Sequence, residues 1–113
     1  MSWRAGGIRP WIAQRVSAVL LAVILCVFTV NMMISAPANF QEWQDLIGGR
    51  FWHTVIIAFW IALFIHAWIG IRDVIMDYIH SDGLRFSVLT GFAVFLIAMT
   101  IWMLKIMILA VNL

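Results

Sequence analysis

Three long stretches of the chain carry no charged residue. They are residues 16–41, 51–71 and 86–104, which are 26, 21 and 19 residues long. A helix needs about 20 consecutive apolar residues to cross the hydrocarbon core of a bilayer. Each stretch therefore reaches the length of a membrane-spanning helix. The sequence predicts an all-α membrane protein with three transmembrane helices.

The composition agrees with this prediction and excludes other classes of protein. Of the 113 residues, 65% are hydrophobic and 11% are charged, whereas a soluble domain has about 25% charged residues. A soluble enzyme, a nucleic-acid-binding protein and a disulfide-stabilised domain are therefore excluded. The single cysteine, Cys26, cannot form an intrachain disulfide, and an iron–sulfur cluster needs about four thiolates.

Proline, glycine and turn-forming residues divide the chain into helices. We expect one transmembrane domain over residues 1–113, with helices at about 11–34, 51–79 and 84–111. Pro37 ends the first helix, because proline cannot continue one. Residues 38–50 mix aromatic, aliphatic and polar side chains, which predicts a short amphipathic helix lying in the interface. The Ser-Asp-Gly run at 81–83 predicts a turn before the third helix.

Basic residues near the ends of the apolar stretches predict the orientation. Five fall at the end that holds the N-terminus and two at the other: Arg4, Arg9, Arg15, Arg72 and Arg85 against Arg50 and Lys105. Short loops rich in Lys and Arg stay in the cytoplasm, so we expect a cytoplasmic N-terminus and an external C-terminus. The opening residues resemble neither a secretory signal nor a mitochondrial transit peptide, and the expected location is a bacterial inner membrane.

The second helix carries most of the ionisable residues that lie within the predicted membrane region. Such residues are costly in a bilayer and each one is a functional hypothesis. His66, Gly70, Asp73 and Asp77 fall within an arc of about 60° when successive residues are placed 100° apart. We expect this stripe to face protein, a cofactor or water rather than lipid.

His66 has three interpretations. It lies roughly 22 Å along the helix from Phe51, where an uncharged imidazole can ligate haem iron and Gly70 allows a porphyrin or a helix to approach. It can also be a structural histidine bonded to a neighbouring helix, or part of a proton relay. His53 and His80 lie roughly 20 Å away at the helix ends, so a second axial ligand for the same iron has to come from another chain.

Residues at the predicted cytoplasmic ends of the helices have two interpretations each. Tyr78 is an aromatic anchor at the interface or a hydrogen-bond donor to a quinone carbonyl, with Asp77 orienting a nearby arginine. Arg15 is a snorkelling residue or clamps a carboxylate such as a haem propionate. We expect Arg72 and Asp73 to form a charge pair.

A motif in the second helix resembles a known family. The run HAWIG at 66–70, followed by Asp77-Tyr78, is similar to the second helix of the hydrophobic membrane anchors of succinate dehydrogenase cytochrome b556. The residues that continue to Asp82 resemble the mitochondrial members. The three-helix layout and the length also agree, so the resemblance covers nearly the whole chain.

The resemblance implies a role for each matching residue. His66 corresponds to an axial ligand of haem b, and the other axial histidine comes from a separate cytochrome b anchor subunit. Tyr78 corresponds to the residue that hydrogen-bonds ubiquinone, and Asp77 helps to organise the quinone pocket. Arg15, in a short match over residues 14–18, corresponds to an arginine near the haem propionates. The implied partners also include an iron–sulfur subunit and a flavoprotein subunit, which oxidises succinate, so this chain has no succinate site.

Two other functions use the same residues. The anchor of a quinol:fumarate reductase has the same architecture, and the direction of the reaction depends on the potentials of the partner cofactors and on the quinone. A small transporter or proton-relay subunit would use His66, Asp73 and Asp77 as a relay. That function predicts no chromophore and a dependence on the proton gradient.

Overall fold

Within the residues that the structure describes, the chain folds into four helices. The computed structural model describes the backbone of residues 3–111 and the side chains of residues 8–111. Its elements are α1 (Trp3–Ser35), α2 (Phe40–Gly48), α3 (Arg50–Tyr78) and α4 (Asp82–Ala110). Three of them, over Ile8–Ser35, Arg50–Tyr78 and Asp82–Ala110, are long and apolar enough to cross a membrane. The predicted fold class, three transmembrane helices with a short helix between the first two, is confirmed.

Two helix boundaries differ from the predicted ones. Helix α1 begins at Trp3 rather than near residue 11 and runs through Pro10, whose fixed φ suits a helix although it removes one backbone hydrogen bond. Helix α4 begins at Asp82, inside the predicted turn. The Ser81 hydroxyl accepts a hydrogen bond from the Leu84 N–H at 3.5 Å, and an acidic residue is favourable in the first turn of a helix.

Local hydrogen bonds define the start of α2. The Asn39 side chain accepts a hydrogen bond from the Glu42 N–H at 2.9 Å. The Glu42 carboxylate in turn accepts one from the Ala38 N–H at 2.7 Å. These reciprocal bonds satisfy backbone donors that a helix leaves unpaired at its N-terminus. At the other end of α2, a Cβ on Gly48 would overlap the carbonyl oxygen of Ala110, so α2 packs directly on the end of α4.

Helix α3 is the central helix of the bundle. It packs against both α1 and α4, whose own Cα atoms come nowhere within 8 Å of each other in residues 3–111. Phe28 of α1 meets Trp52 at the start of α3, with ring centroids 5.4 Å apart. The Trp60 indole N–H donates to the Thr100 hydroxyl of α4 at 2.9 Å. Residue numbers fall along α3 as they rise along each neighbour, so both pairs of helices are antiparallel.

Few side chains are buried inside the chain itself. In the most apolar window of each spanning helix, 6% to 11% of the residues are buried. Among the described side chains, the buried ones are Ser17 and six apolar residues: Leu21, Ala62, Ile75, Leu96, Met107 and Ala110. The remaining apolar surface therefore has to be covered by lipid or by other protein chains.

Candidate functional site

His66 is held against α1 by a hydrogen bond to Ser17. The Nδ1 atom of His66 lies 3.1 Å from the Ser17 hydroxyl oxygen, and that hydroxyl donates to the Gln14 carbonyl oxygen at 3.0 Å. A serine hydroxyl has a single hydrogen. Because the Gln14 carbonyl can only accept this hydrogen, we assign the Nδ1–H of His66 as the donor to Ser17. The Nε2 atom then carries a lone pair, and it has no hydrogen-bond partner among the described side chains.

Gly70 lies one turn beyond His66, where α3 passes close to α1. A Cβ built on Gly70 would lie 3.1 Å from the Gln14 side-chain nitrogen, which is tight for a carbon in contact. The other end of the same amide, Gln14 Oε1, is buried without a hydrogen-bond partner in the structure. The absence of a side chain at Gly70 therefore lets a polar residue of α1 lie beside the helix that carries His66.

An apolar groove runs between α1 and α3 beside this pair. Its volume is about 330 Å³, and its lining includes Ser17 and Ile65, the residue that precedes His66. Three alanines, Ala13, Ala58 and Ala62, contribute to its walls. Small residues on facing helices leave room for another group to approach the helix backbones.

The two acidic residues of the predicted stripe lie beyond the contact with α1. Asp73 is exposed and pairs with the Arg72 guanidinium at 3.2 Å, which confirms the predicted charge pair. Asp77 is also exposed, and Tyr78, the last residue of α3, has 79% of its surface exposed. The stripe is thus divided: His66 and Gly70 face α1, and the carboxylates lie on the surface of the chain.

Arg15 does not belong to the cluster around His66. Its guanidinium lies 5.4 Å from the ring centre of Trp11, a distance suited to a cation–π interaction. Arg15 and Ser17 are two residues apart, which separates them by about 200° around the helix. The two side chains therefore leave α1 on nearly opposite faces.

Comparison with known proteins identifies the family. A family model described as succinate dehydrogenase/fumarate reductase transmembrane subunit matches residues 2–105. The chain belongs to this family. A curated relative, the succinate dehydrogenase hydrophobic membrane anchor subunit of Coxiella burnetii, is 23% identical over 96 residues, which cover 85% of this chain and 84% of the relative. The family predicted from the motif in the second helix is confirmed.

This succinate dehydrogenase/fumarate reductase transmembrane subunit has three histidines, and they are well separated along α3 and its end. His53 lies at the start of α3, where its Nδ1–H donates to the Ile47 carbonyl at 3.2 Å, and His80 follows the end of α3. Among the described residues, no group of three or more His, Cys, Asp or Glu is placed to hold a metal ion. A haem ligated by one residue from each of two chains needs no such group.

The predictions from sequence missed two residues that the structure connects to the site. Ser17 appeared only as a neighbour of Arg15, although a small hydroxyl residue in an apolar helix is a common contact between membrane helices. Arg85 appeared only as a basic residue that sets orientation. Its guanidinium donates to the Met76 carbonyl at 2.9 Å and to the Ile79 carbonyl, and so caps the end of α3. A positive charge at the C-terminus of a helix also interacts favourably with the helix dipole.

Proposed function

We propose that this chain is the membrane anchor of a succinate:ubiquinone oxidoreductase (respiratory complex II), where it supplies one axial ligand of haem b and part of the ubiquinone-reduction site. The observation that supports this proposal most directly is the environment of His66. Its imidazole lies on the central helix of a family member, bonds through Nδ1 to Ser17 and keeps Nε2 for iron. Histidine ligands of metals ordinarily donate their second ring N–H to such a partner.

The residues around His66 fit a haem. His66 would hold the iron through Nε2, and the groove beside Ser17 would leave space for part of a flat ring system. Gly70 is covered by Gln14 of α1 and serves the packing of the two helices. Bound haem b supplies a one-electron redox centre. The second axial histidine belongs to the separate cytochrome b anchor subunit. We assign the haem propionates to Arg15 as a further part of the proposal, since a guanidinium can bind a carboxylate through two hydrogen bonds. This role requires the Arg15 side chain to leave Trp11 and turn towards the haem.

The end of α3 provides this chain's part of the proposed quinone site. The Tyr78 hydroxyl is a hydrogen-bond donor on an exposed side chain, and it donates to a ubiquinone carbonyl. Asp77 helps to organise the pocket. The Arg85 guanidinium caps the last turn of α3, which carries both Asp77 and Tyr78. Succinate is oxidised in the flavoprotein subunit, and the electrons reach ubiquinone through the iron–sulfur subunit, so this chain does not react with succinate.

The direction of the reaction and the orientation of the chain are parts of the same proposal. The name of the Coxiella burnetii relative supports succinate oxidation, while the family also includes fumarate reductase subunits. Basic residues near the end of the bundle where α3 ends and α4 begins support a cytoplasmic N-terminus in a bacterial inner membrane. A proton relay has less support, because His66 bonds to Ser17 and Asp73 pairs with Arg72.

A reduced-minus-oxidised visible spectrum of the purified complex tests the haem ligand. The complex should show a b-type α-band. His66→Leu should abolish or shift that band, because an aliphatic side chain cannot bind iron. His53→Leu is the matched control on the same helix, and it should leave the band unchanged. An unaltered spectrum in His66→Leu, or no b-type band in the intact complex, contradicts the haem role.

Tyr78→Phe tests the quinone role. Loss of one hydrogen bond worth about 0.5 to 1.5 kcal/mol should lower kcat/KM for ubiquinone reduction by about 2- to 10-fold. Succinate oxidation with an artificial dye, which takes electrons before the quinone site, is the internal control and should keep its rate. If ubiquinone reduction is also unchanged, Tyr78 is not part of the quinone site.

A further inference from the structure

We propose that Ser17 is a positioning residue for His66, which keeps the imidazole in its Nδ1–H tautomer and thereby directs the Nε2 lone pair to the haem iron. This inference rests on the proposed haem role of His66. It assigns a function to a residue of α1 that itself has no contact with iron.

Hydrogen-bond geometry determines the direction of the bond. Ser17 Oγ is 3.0 Å from the Gln14 carbonyl oxygen, an acceptor that can only receive a hydrogen. The single hydroxyl hydrogen is used there, and the oxygen lone pairs are left to accept from His66 Nδ1 at 3.1 Å. A neutral imidazole with its hydrogen on Nδ1 has its lone pair on Nε2, which is the form that binds iron.

The burial of Ser17 strengthens the preference of His66 for the Nδ1–H tautomer. Ser17 is 5% exposed, and it is the polar residue among the buried side chains of the described chain. At this burial its lone pairs are shielded from solvent, and the walls of the adjoining groove are otherwise apolar. If the Ser17 oxygen is removed, the Nδ1–H loses its acceptor. The ring can then rotate or move its hydrogen to Nε2, and either change weakens the bond to iron.

The bond also couples the packing of α1 and α3 to the orientation of the ring. Ser17 and His66 are 49 residues apart in sequence and belong to different helices. Gly70, one turn along α3, approaches Gln14 of α1. The ring is therefore held from a neighbouring helix and not only by its own rotamer preference, as expected for a ligand that has to be positioned before the cofactor arrives.

Ser17→Ala in the purified complex tests the proposal, with transfer of haem to excess apomyoglobin as the first measurement. Loss of an outer-shell partner typically lowers metal affinity by about 10- to 100-fold, so haem should leave Ser17→Ala at least about 10-fold faster than the unmodified complex. The midpoint potential of the haem should become more positive, because an imidazole without its hydrogen-bond acceptor donates less charge to ferric iron.

Three further variants separate this role from a general structural one. Ser17→Thr keeps a hydroxyl in place and should restore the rate and the potential. Ser87→Ala is the matched control, because Ser87 also donates to a backbone carbonyl, that of Gly83 at 2.9 Å, but is an exposed residue of α4 that does not bond to His66. Ser17→Cys has a similar size and a weak acceptor, and should give an intermediate rate if Ser17→Ala does not assemble.

The outcomes distinguish this inference from the proposed function. If Ser17→Ala keeps the haem and its potential while His66→Leu loses the spectrum, Ser17 has no positioning role and the haem ligand stands. The same conclusion follows if Ser17→Cys replaces an unassembled Ser17→Ala and behaves like the unmodified complex. If His66→Leu keeps the spectrum, both proposals are wrong.

Discussion

Replacement of Gly48 by alanine should weaken the packing of α2 against the end of α4. Gly48 is the last residue of α2, and a Cβ there would overlap the backbone carbonyl of Ala110. A flexible side chain could move aside, but a carbonyl at the end of α4 can move only if the helix or α2 moves. Overpacking of this kind typically costs about 1 to 3 kcal/mol.

The intrinsic preference of alanine for helices opposes this cost. Alanine is about 1 kcal/mol better than glycine in a helix. Because the overlap is with backbone atoms, we take the upper part of the overpacking range, about 2 to 3 kcal/mol, which leaves a net loss of about 1 to 2 kcal/mol in the docking of α2. Such a change raises the population of the undocked form by about 5- to 30-fold. Gly91→Ala is the matched control, because a Cβ at Gly91 meets no atom within 4 Å.

Trypsin provides the assay, because Arg50 is exposed and is the first residue of α3, separated from α2 by Gly49 alone. Cleavage requires local unfolding around the bond between Arg50 and Phe51, and its rate follows the population of the opened form. In the detergent-solubilised complex, Gly48→Ala should be cut there about 5- to 30-fold faster, as measured by mass spectrometry of fragment 1–50. Equal rates in Gly48→Ala and Gly91→Ala would refute the argument from backbone overlap.

Two further predictions concern the contacts of α3 with α4 and the connection between them. A double-mutant cycle in mixed micelles can measure the hydrogen bond between Trp60 and Thr100, with the variants Trp60→Phe and Thr100→Val. Their effects on the free energy of unfolding should be coupled by about 0.6 kcal/mol. Additive effects would mean that the hydrogen bond contributes nothing to stability. Arg85→Gln should speed hydrogen exchange of the Ile79 amide by about 2- to 5-fold, because a cation at a helix C-terminus contributes about 0.3 to 1 kcal/mol. Arg72→Gln is the control for charge alone, and an equal effect in both variants would contradict a specific cap.

Much of the fold could be predicted because it depends on local pattern. A run of about 20 apolar residues cannot be placed in water, and within a bilayer it has to form a helix that satisfies its own backbone. The stop before Pro37 and the amphipathic helix that follows also depend on neighbouring residues only. The start of α4 at Asp82 was harder to predict from the sequence, because Asp-Gly is compatible with a turn and with the first turn of a helix. The Ser81 side chain caps the helix and so favours the second of these conformations.

The candidate site was only partly predictable, since its residues come from different helices. The position of His66 on α3 follows from the sequence, and so does its separation from His53 and His80. Its partner does not: Ser17 is one of several small polar residues in apolar segments, and nothing in the numbering pairs it with a histidine 49 residues away. Arg15 lies close to Ser17 in sequence but leaves the opposite face of the helix.

By itself, then, the sequence determined that the chain has three helices long and apolar enough to cross a membrane, which family its second spanning helix resembles and how far along that helix His66 lies. Hydrophobic run length, helix rise and local motifs are properties of one segment at a time. Only the tertiary structure decided that α3 is central, that Ser17 accepts from His66 and that Arg85 caps the turn beside Tyr78. Those contacts depend on the rotation and the register of one helix against another, which side-chain packing sets after the helices have formed.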